Sequence, residues 1–247
     1  TSRVIDRPMR PLFPKDYRND VTLNNMVMSV DPACRPEIVA MLGAAIATSI
    51  SDIPFDGPCA MTQVGMVDGE FVINPSQEQW KNGDLNLTVA STKEKVIMIE
   101  AGANEVPEAK MIEAIYLAHD VNQTIIEFID KIVAEVGKPK HEYTSCAIPA
   151  EMFEAMKKIV TPEEMEEAVF TDEKQVREAN IREVTAKMEE AFADNEEWLA
   201  ILGEAVYQYQ KKTVRKMILK DHKRPDGRKI DQIRKLSAEV DIIPRVH

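Results

Sequence analysis

The sequence lacks most of what would staple a small domain or anchor one in a bilayer. Its three cysteines, Cys34, Cys59 and Cys146, are scattered, with no Cys-x-x-Cys pair and no histidine at zinc spacing. That excludes a disulfide framework and predicts free thiols in a reducing compartment. No run of 18 apolar residues occurs, so no segment reads as a membrane-spanning helix. Aromatic residues are only 6% of the chain, so thirteen methionines and the aliphatic residues have to fill the core. Positive charge is in deficit: 31 Lys and Arg face 42 Asp and Glu, a net −11. An overall basic coat for nucleic acid or acidic lipid is therefore excluded, although a local basic site is not. No signal peptide is visible, and a first residue that is Thr rather than Met makes a missing N-terminus the expectation.

What is present divides in two. With 247 residues and 44% apolar content the chain can bury one good core and part of another. Residues 1–13 read as a short helix bent at Pro8 and Pro11. VTLNNMVMSV at 21–30 reads as a strand. Pro36 then opens a helix, EIVAMLGAAIATSIS, that is apolar nearly all round and so is predicted to be buried on every side. Two hairpins follow, one across Asp68-Gly69 and one across Thr92-Lys93-Glu94. Pro107 begins a long helix whose stripe is Met111, Ile115, Ala118, Ile125, Ile129, Ile132 and Val136, stopped by Gly137 and Pro139.

From 148 to 220 strand signals vanish. Thr161 and Glu164 form a capping-box pattern, and Asp194 with Glu197 resembles a second. Helices are predicted at 150–160, 162–192 with a break near Thr171, and 195–220. Between 151 and 197 fifteen acidic residues face six basic ones, whereas the last helix ends with Lys211, Lys212, Arg215, Lys216 and Lys220. Cations at a helix C-terminus suit the macrodipole, which accounts for most of that run. Pro225-Asp-Gly227 reads as a turn and AEVDII, at 238–243, as a strand.

This order of elements carries a resemblance. TSRVIDRPMRPLFP, IVAMLGAAIATSISDIPFDGP, and RPDGRKIDQIRKL with the IPRVH terminus resemble the bacterial polynucleotide phosphorylase family over essentially the whole chain. The resemblance implies an α+β fold. A ribonuclease PH-like core, a mixed β-sheet packed with helices, occupies residues 1–139 and lacks its N-terminal part. A separate all-helical domain spans 140–220, and 221–247 begins a second core. It implies a phosphate-dependent 3′-to-5′ exoribonuclease that degrades single-stranded RNA to nucleoside diphosphates in mRNA turnover and runs in reverse as a polymerase. Mg2+ or Mn2+ and inorganic phosphate are expected in the second core, outside these residues. A cytoplasmic homotrimer is implied, with an RNA-degradosome endonuclease or helicase as a possible partner and no membrane association.

In the family the active core offers a Gly-Ser-Ser turn at a helix N-terminus for phosphate, and a D-x-D-F-K-type stretch for metal. Here the matching positions are Cys34-Arg35-Pro36-Glu37 and Asp84-Leu-Asn86-Leu-Thr88. Pro36 removes an N–H, Glu37 puts a carboxylate where phosphate needs donors, and one metal carboxylate and the lysine are gone. No catalytic residue and no metal ligand are therefore expected within these 247 residues, which are predicted to be inactive alone.

Arg3, Arg7 and Arg10 lie at i, i+4 and i+7, so a helix presents all three guanidiniums on one face, with Asp6 in reach of Arg10. Two readings stay open. The arginines hold phosphates of single-stranded RNA, the role that the resemblance implies, or they make salt bridges within or between chains. A non-catalytic RNA-binding or scaffold module of a ribonuclease PH-like ring is the alternative for the whole segment. Arg224 and Arg228, flanking the Gly227 turn, read as a domain-start turn rather than a phosphate loop. His119 reads as a surface residue, His141 and His222 as linker residues without evident partners, and His247 as second-core structure. Trp80 and Trp198 read as packing residues.

Overall fold

The computed structural model describes residues 2–31 and 33–245; His247 lies outside them. The chain forms two compact units, 1–145 and 146–247.

In the first unit four strands make an antiparallel sheet in the order β2-β1-β3-β4: β1 Ala60–Val67, β2 Glu70–Ile73, β3 Leu85–Ser91 and β4 Val96–Ala103. Asp68 and Gly69 both adopt positive φ, 52° and 83°, which is the backbone that a two-residue hairpin turn requires. Both hairpins form where they are predicted. Alternation along the strands sends two sets of side chains to opposite faces. Val64, Leu85, Leu87 and Val89 pack on Ala114 and Ala118 of the 29-residue helix at Glu108–Val136. Met61, Ala90 and Met98 pack on Ile5 and Met9 of the first helix, α1 (Ser2–Met9), and on Met41 and Ala44 of α2 (Pro36–Ile50).

Several local expectations need correction. The first helix stops at Met9 and continues as a 3-10 turn, Arg10–Leu12, because Pro11 has no N–H to donate. Residues 21–30 form no strand: they lie unpaired, nearly all exposed, and no described strand borders them. Helix α2 is not buried all round, since Pro36, Val39, Gly43 and Ala47 make an exposed stripe at helical spacing. A short helix, α3 (Gln77–Asn82), was missed although Ser76 and Gln79 form a complete capping box. In the long helix, α4, the fully buried line is Ala114, Ala118, Asn122, Ile126 and Ile129, and Val136 is exposed. The predicted stripe ran along the edge of that line, because a buried asparagine does not register as apolar.

After α4, residues 138–145 run back over the first unit. The Lys140 ammonium donates to the carbonyls of Thr48, Ser49 and Ser51 at 3.2, 3.0 and 2.7 Å, which satisfies orphan acceptors at the end of α2. Tyr143 and Ser145 donate to the Asp16 carboxylate, and these bonds hold that group below its ordinary range.

The second unit is helical: α5 Ala150–Ile159, α6 Pro162–Val169, α7 Lys174–Ala191 and α8 Glu196–Leu219. The break near Thr171 separates α6 from α7. The Thr161–Glu164 capping box is complete. The second box is not, because Asn195 takes the cap and accepts from Trp198 N–H at 3.1 Å. The core joins Met152, Met156, Met165, Met188 and Met217 with Phe153, Leu202 and Val206, so methionine does fill it. Tyr209 donates to the Val160 carbonyl at 2.9 Å, and burial pushes its hydroxyl up to about 12. No strand forms at 238–243, and residues 229–245 are exposed throughout, with no neighbouring strand to pair with.

Candidate nucleic-acid interface

The register aligns a polar row on the sheet face beneath α1 and α2. Gln63 on β1 stands opposite Thr88 on β3, and Thr88 opposite Glu100 on β4. Gln63 donates to Thr88 Oγ1 at 3.4 Å, while its own Oε1 has no partner among the described residues. At the end of the row Arg7 of α1 donates to Glu100 Oε2 at 2.7 Å. One helical face thus delivers Arg7 to a carboxylate 93 residues away, with Ile5, Pro8 and Met9 buried on its other side.

The three arginines are all exposed, and each has a different engagement. Arg7 pairs with Glu100. Arg10 forks onto both oxygens of Asp6, Nε to Oδ1 at 3.0 Å, as the spacing predicts. Arg3 meets no carboxylate among the described residues. Both ion pairs are solvent-exposed and therefore weak, so neither locks a guanidinium away from a stronger anion.

The positions that the resemblance aligns with phosphate and metal groups have partners of their own within the fold. The Arg35 guanidinium lies 4.1 Å from the Trp80 ring centroid and bonds Glu37 at 3.1 Å. Burial works against the Glu37 charge, but its own backbone N–H and Arg35 outweigh that and hold the carboxyl below the ordinary glutamate value. Asn86 turns its amide nitrogen to the carbonyls of Trp80 and Leu85, at 2.8 and 3.1 Å. Thr88 is taken by Gln63. Asp84 is then the one carboxylate of the set, and that donor set does not fit a hard divalent cation. In the core beneath α1 and α2, burial pushes the Cys59 thiol up to about 12, which keeps it protonated.

His119, His141 and Arg228 have partners within the fold. His119 meets Gln123 Nε2 at 3.3 Å. His141 has partners after all, Tyr17 Oη at 3.3 Å and Asp52 at 4.0 Å. Arg228 forks onto Asp226 at 2.9 and 2.6 Å, and the Arg228 bonds drive that carboxyl down to about 2. Trp198 packs edge-on against Phe192, whereas half-buried Trp80 has the Arg35 guanidinium over its ring. No sequence signal flags Glu100 as the partner of Arg7, because the pair depends on strand register. The Arg35–Trp80 contact is equally silent.

Residues 57–121 match the 3' exoribonuclease family, domain 2, and residues 151–229 match the polyribonucleotide nucleotidyltransferase RNA binding domain. The polyribonucleotide nucleotidyltransferase of Lachnoclostridium phytofermentans is 74% identical over 248 residues, covering 100% of this chain. The chain belongs to this family. Those of Ruminiclostridium cellulolyticum and Halalkalibacterium halodurans are 50% and 46% identical, again over 100% of the chain. The chain spans 36% of the first of these polyribonucleotide nucleotidyltransferases and 35% of the other two. A crystal structure of rice (Oryza sativa) Rrp46 aligns over 42% of this chain and 51% of its own, at TM-score 0.39 and 13% identity, a likeness too slight to bear on function. Among the described residues no helix is long and apolar enough to cross a membrane.

Proposed function

We propose that this chain is the RNA-holding, non-catalytic part of a phosphate-dependent 3′-to-5′ exoribonuclease, a polyribonucleotide nucleotidyltransferase. In the whole enzyme an oxygen of inorganic phosphate attacks the 3′-terminal phosphodiester. The P–O3′ bond breaks, the shortened RNA leaves with a 3′-hydroxyl, and a nucleoside diphosphate is released; the reverse step extends RNA. Mg2+ or Mn2+ and phosphate act in the second core, beyond the residues of this chain. The whole enzyme is a cytoplasmic homotrimer that turns over mRNA, with a degradosome endonuclease or helicase as a partner. Residues 1–139 are the ribonuclease PH-like core, 140–220 the helical domain and 221–247 the start of the second core. Arg3, Arg7 and Arg10 contact RNA phosphates.

The observation that carries this reading is the 74% identity, over 100% of this chain, with a polyribonucleotide nucleotidyltransferase, and the Glu37 carboxylate paired with Arg35 at the start of α2 supports it. Two assays on the 247-residue chain test it. Incubated with single-stranded RNA, phosphate and Mg2+, the chain releases no nucleoside diphosphate. Fluorescence anisotropy with a labelled oligoadenylate shows binding that weakens as salt rises, and Arg3→Ala with Arg7→Ala reduces it. Phosphate-dependent diphosphate release by the chain alone overturns the division of labour. Absence of RNA binding overturns the RNA-holding role.

A further inference from the structure

The second unit is matched by an RNA-binding domain, yet its first three helices are strongly acidic. Between 151 and 197 the net charge is −9, and between 198 and 229 it is +6, from nine basic and three acidic residues. From Ala205 to Lys220 there is no Asp or Glu at all. A polyanion approaching this unit is repelled by one half and attracted by the other.

Helix α8 sorts its residues by face. Leu202, Ala205, Val206, Tyr209, Thr213 and Met217 are buried. Tyr207, Lys211 and Arg215, at i, i+4 and i+8, lie on the opposite side and are exposed, Tyr207 by 55%. Not every cation nearby is available. Lys212 sits 3.8 Å over the Phe153 ring, Lys216 lies between Glu166 and Asp221 at 3.9 and 3.8 Å, and Lys223 bonds Glu166. Arg224 and Arg228 both flank Asp226. Lys211 and Arg215 meet no carboxylate among the described residues. The acid nearest in sequence on this face, Glu204, accepts from Gln208 at 2.8 Å.

We infer that this outward face of α8, with Tyr207, Lys211 and Arg215, is the track on which the helical unit holds single-stranded RNA. The inference rests on the RNA-holding role proposed above and assigns it a second site, apart from the α1 arginines. An aromatic ring beside two uncommitted cations is what a single strand offers partners for: the ring stacks on a base without reading its identity, and the cations face phosphates. Four residues of helix advance about 6 Å, so the three side chains are spaced along the helix rather than gathered at a point. A linear ligand fits that spacing, whereas a lone phosphate would touch only one of the three. An acidic protein partner would use the cations but leave Tyr207 without a base to stack on.

Anisotropy with a fluorescein-labelled 20-mer oligoadenylate and the 247-residue chain tests the inference. Lys211→Ala with Arg215→Ala weakens binding about tenfold at 50 mM salt and lowers the slope of log affinity against log salt by about 1.4, two single-strand phosphate contacts. Tyr207→Ala weakens it about tenfold, and Tyr207→Phe stays within about twofold of wild type. All these side chains are exposed, and circular dichroism shows each variant folded. Wild-type binding by the double variant, with loss on Arg3→Ala and Arg7→Ala, overturns the α8 track and leaves the RNA-holding role standing. Equal loss for Tyr207→Phe and Tyr207→Ala overturns the stacking assignment. If Lys211→Ala with Arg215→Ala abolishes binding of an acidic peptide and leaves RNA binding at the wild-type level, the face is a protein site and the inference is overturned. If the wild-type chain binds no RNA, the role itself fails.

Discussion

Replacing Asn122 with leucine removes the polar bolt between α4 and the sheet while nearly preserving volume. Asn122 is fully buried. Its Oδ1 accepts from Thr62 Oγ1 at 2.8 Å, and its Nδ2 donates to Ser91 Oγ at 2.7 Å and to the Val89 carbonyl at 3.1 Å. It therefore ties one helix to β1 and β3 at once, in the middle of the apolar line Ala114–Ala118–Ile126–Ile129. Each such bond is worth about 1 kcal/mol net, and a stranded buried partner costs about 1–3 kcal/mol. Leucine regains some apolar contact but leaves three groups facing it, so the first unit is expected to lose about 3 kcal/mol.

Trp80 lies in the first unit and Trp198 in the second, so in a Trp198→Phe background urea unfolding followed by fluorescence reports the first unit alone. In that background Asn122→Leu lowers the unfolding midpoint with an unchanged m-value. Adding Thr62→Val and Ser91→Ala removes both stranded hydroxyls and recovers most of the loss, because replacing both sides of a buried bond with matching apolar groups is nearly neutral. A single variant costing under about 0.5 kcal/mol, or a triple variant no more stable than the single, refutes the reasoning.

Two further outcomes follow from the charges. Glu100→Gln releases Arg7 and removes a negative charge beside the α1 face; since an exposed pair is worth at most about 1 kcal/mol, RNA affinity at low salt rises about two- to fivefold with little change in stability, and an unchanged affinity would mean that Arg7 does not face RNA. Asp226 titrates at about 2 in the folded protein, below the ordinary aspartate value. Its contribution to stability is therefore complete above about pH 4 and is lost as pH falls toward its folded value. Thermal melts between pH 2 and 5 should show an acid-dependent loss that Asp226→Asn lacks, and identical acid profiles would remove Asp226 from the account.

The hairpins, α4 and the helical unit are readable because each has a local cause: a positive-φ turn at Asp68-Gly69, a stop at Gly137, a capping box at Thr161. Residues 21–30 misled for the complementary reason. Their alternation says only that the segment would suit a sheet, and a strand exists only where a partner does. Helix α2 shows the same asymmetry, since an apolar outer face predicts cover without supplying it. The candidate interface is half legible. The spacing of Arg3, Arg7 and Arg10 and the Asp6–Arg10 pair follow from helix geometry, but Glu100 reaches Arg7 only through the register of β3 on β4. The α8 face was hidden by a sufficient local explanation: cations at a helix end suit the dipole whether or not they bind anything. Only the folded contacts separate Lys211 and Arg215 from Lys212, over Phe153, and from Lys216 and Lys223, beside Glu166.

The start of α2 is poorly built to receive an anion. A free helix N-terminus attracts an anion through unpaired N–H groups and the dipole. Here Pro36 lacks one of those donors, and the Glu37 carboxylate, tied to its own N–H and to Arg35, already supplies the negative charge. Arg35, the cation at this helix start, lies over the Trp80 ring, and the Trp80 carbonyl in turn takes the Asn86 amide. Glu37→Gln alone would remove the competing charge but return neither the missing N–H nor the metal carboxylate. The obstacles to an anion here are therefore distributed over α2, α3 and β3, in a proline, a carboxylate, a guanidinium held at an indole ring and an amide, so no single substitution removes them.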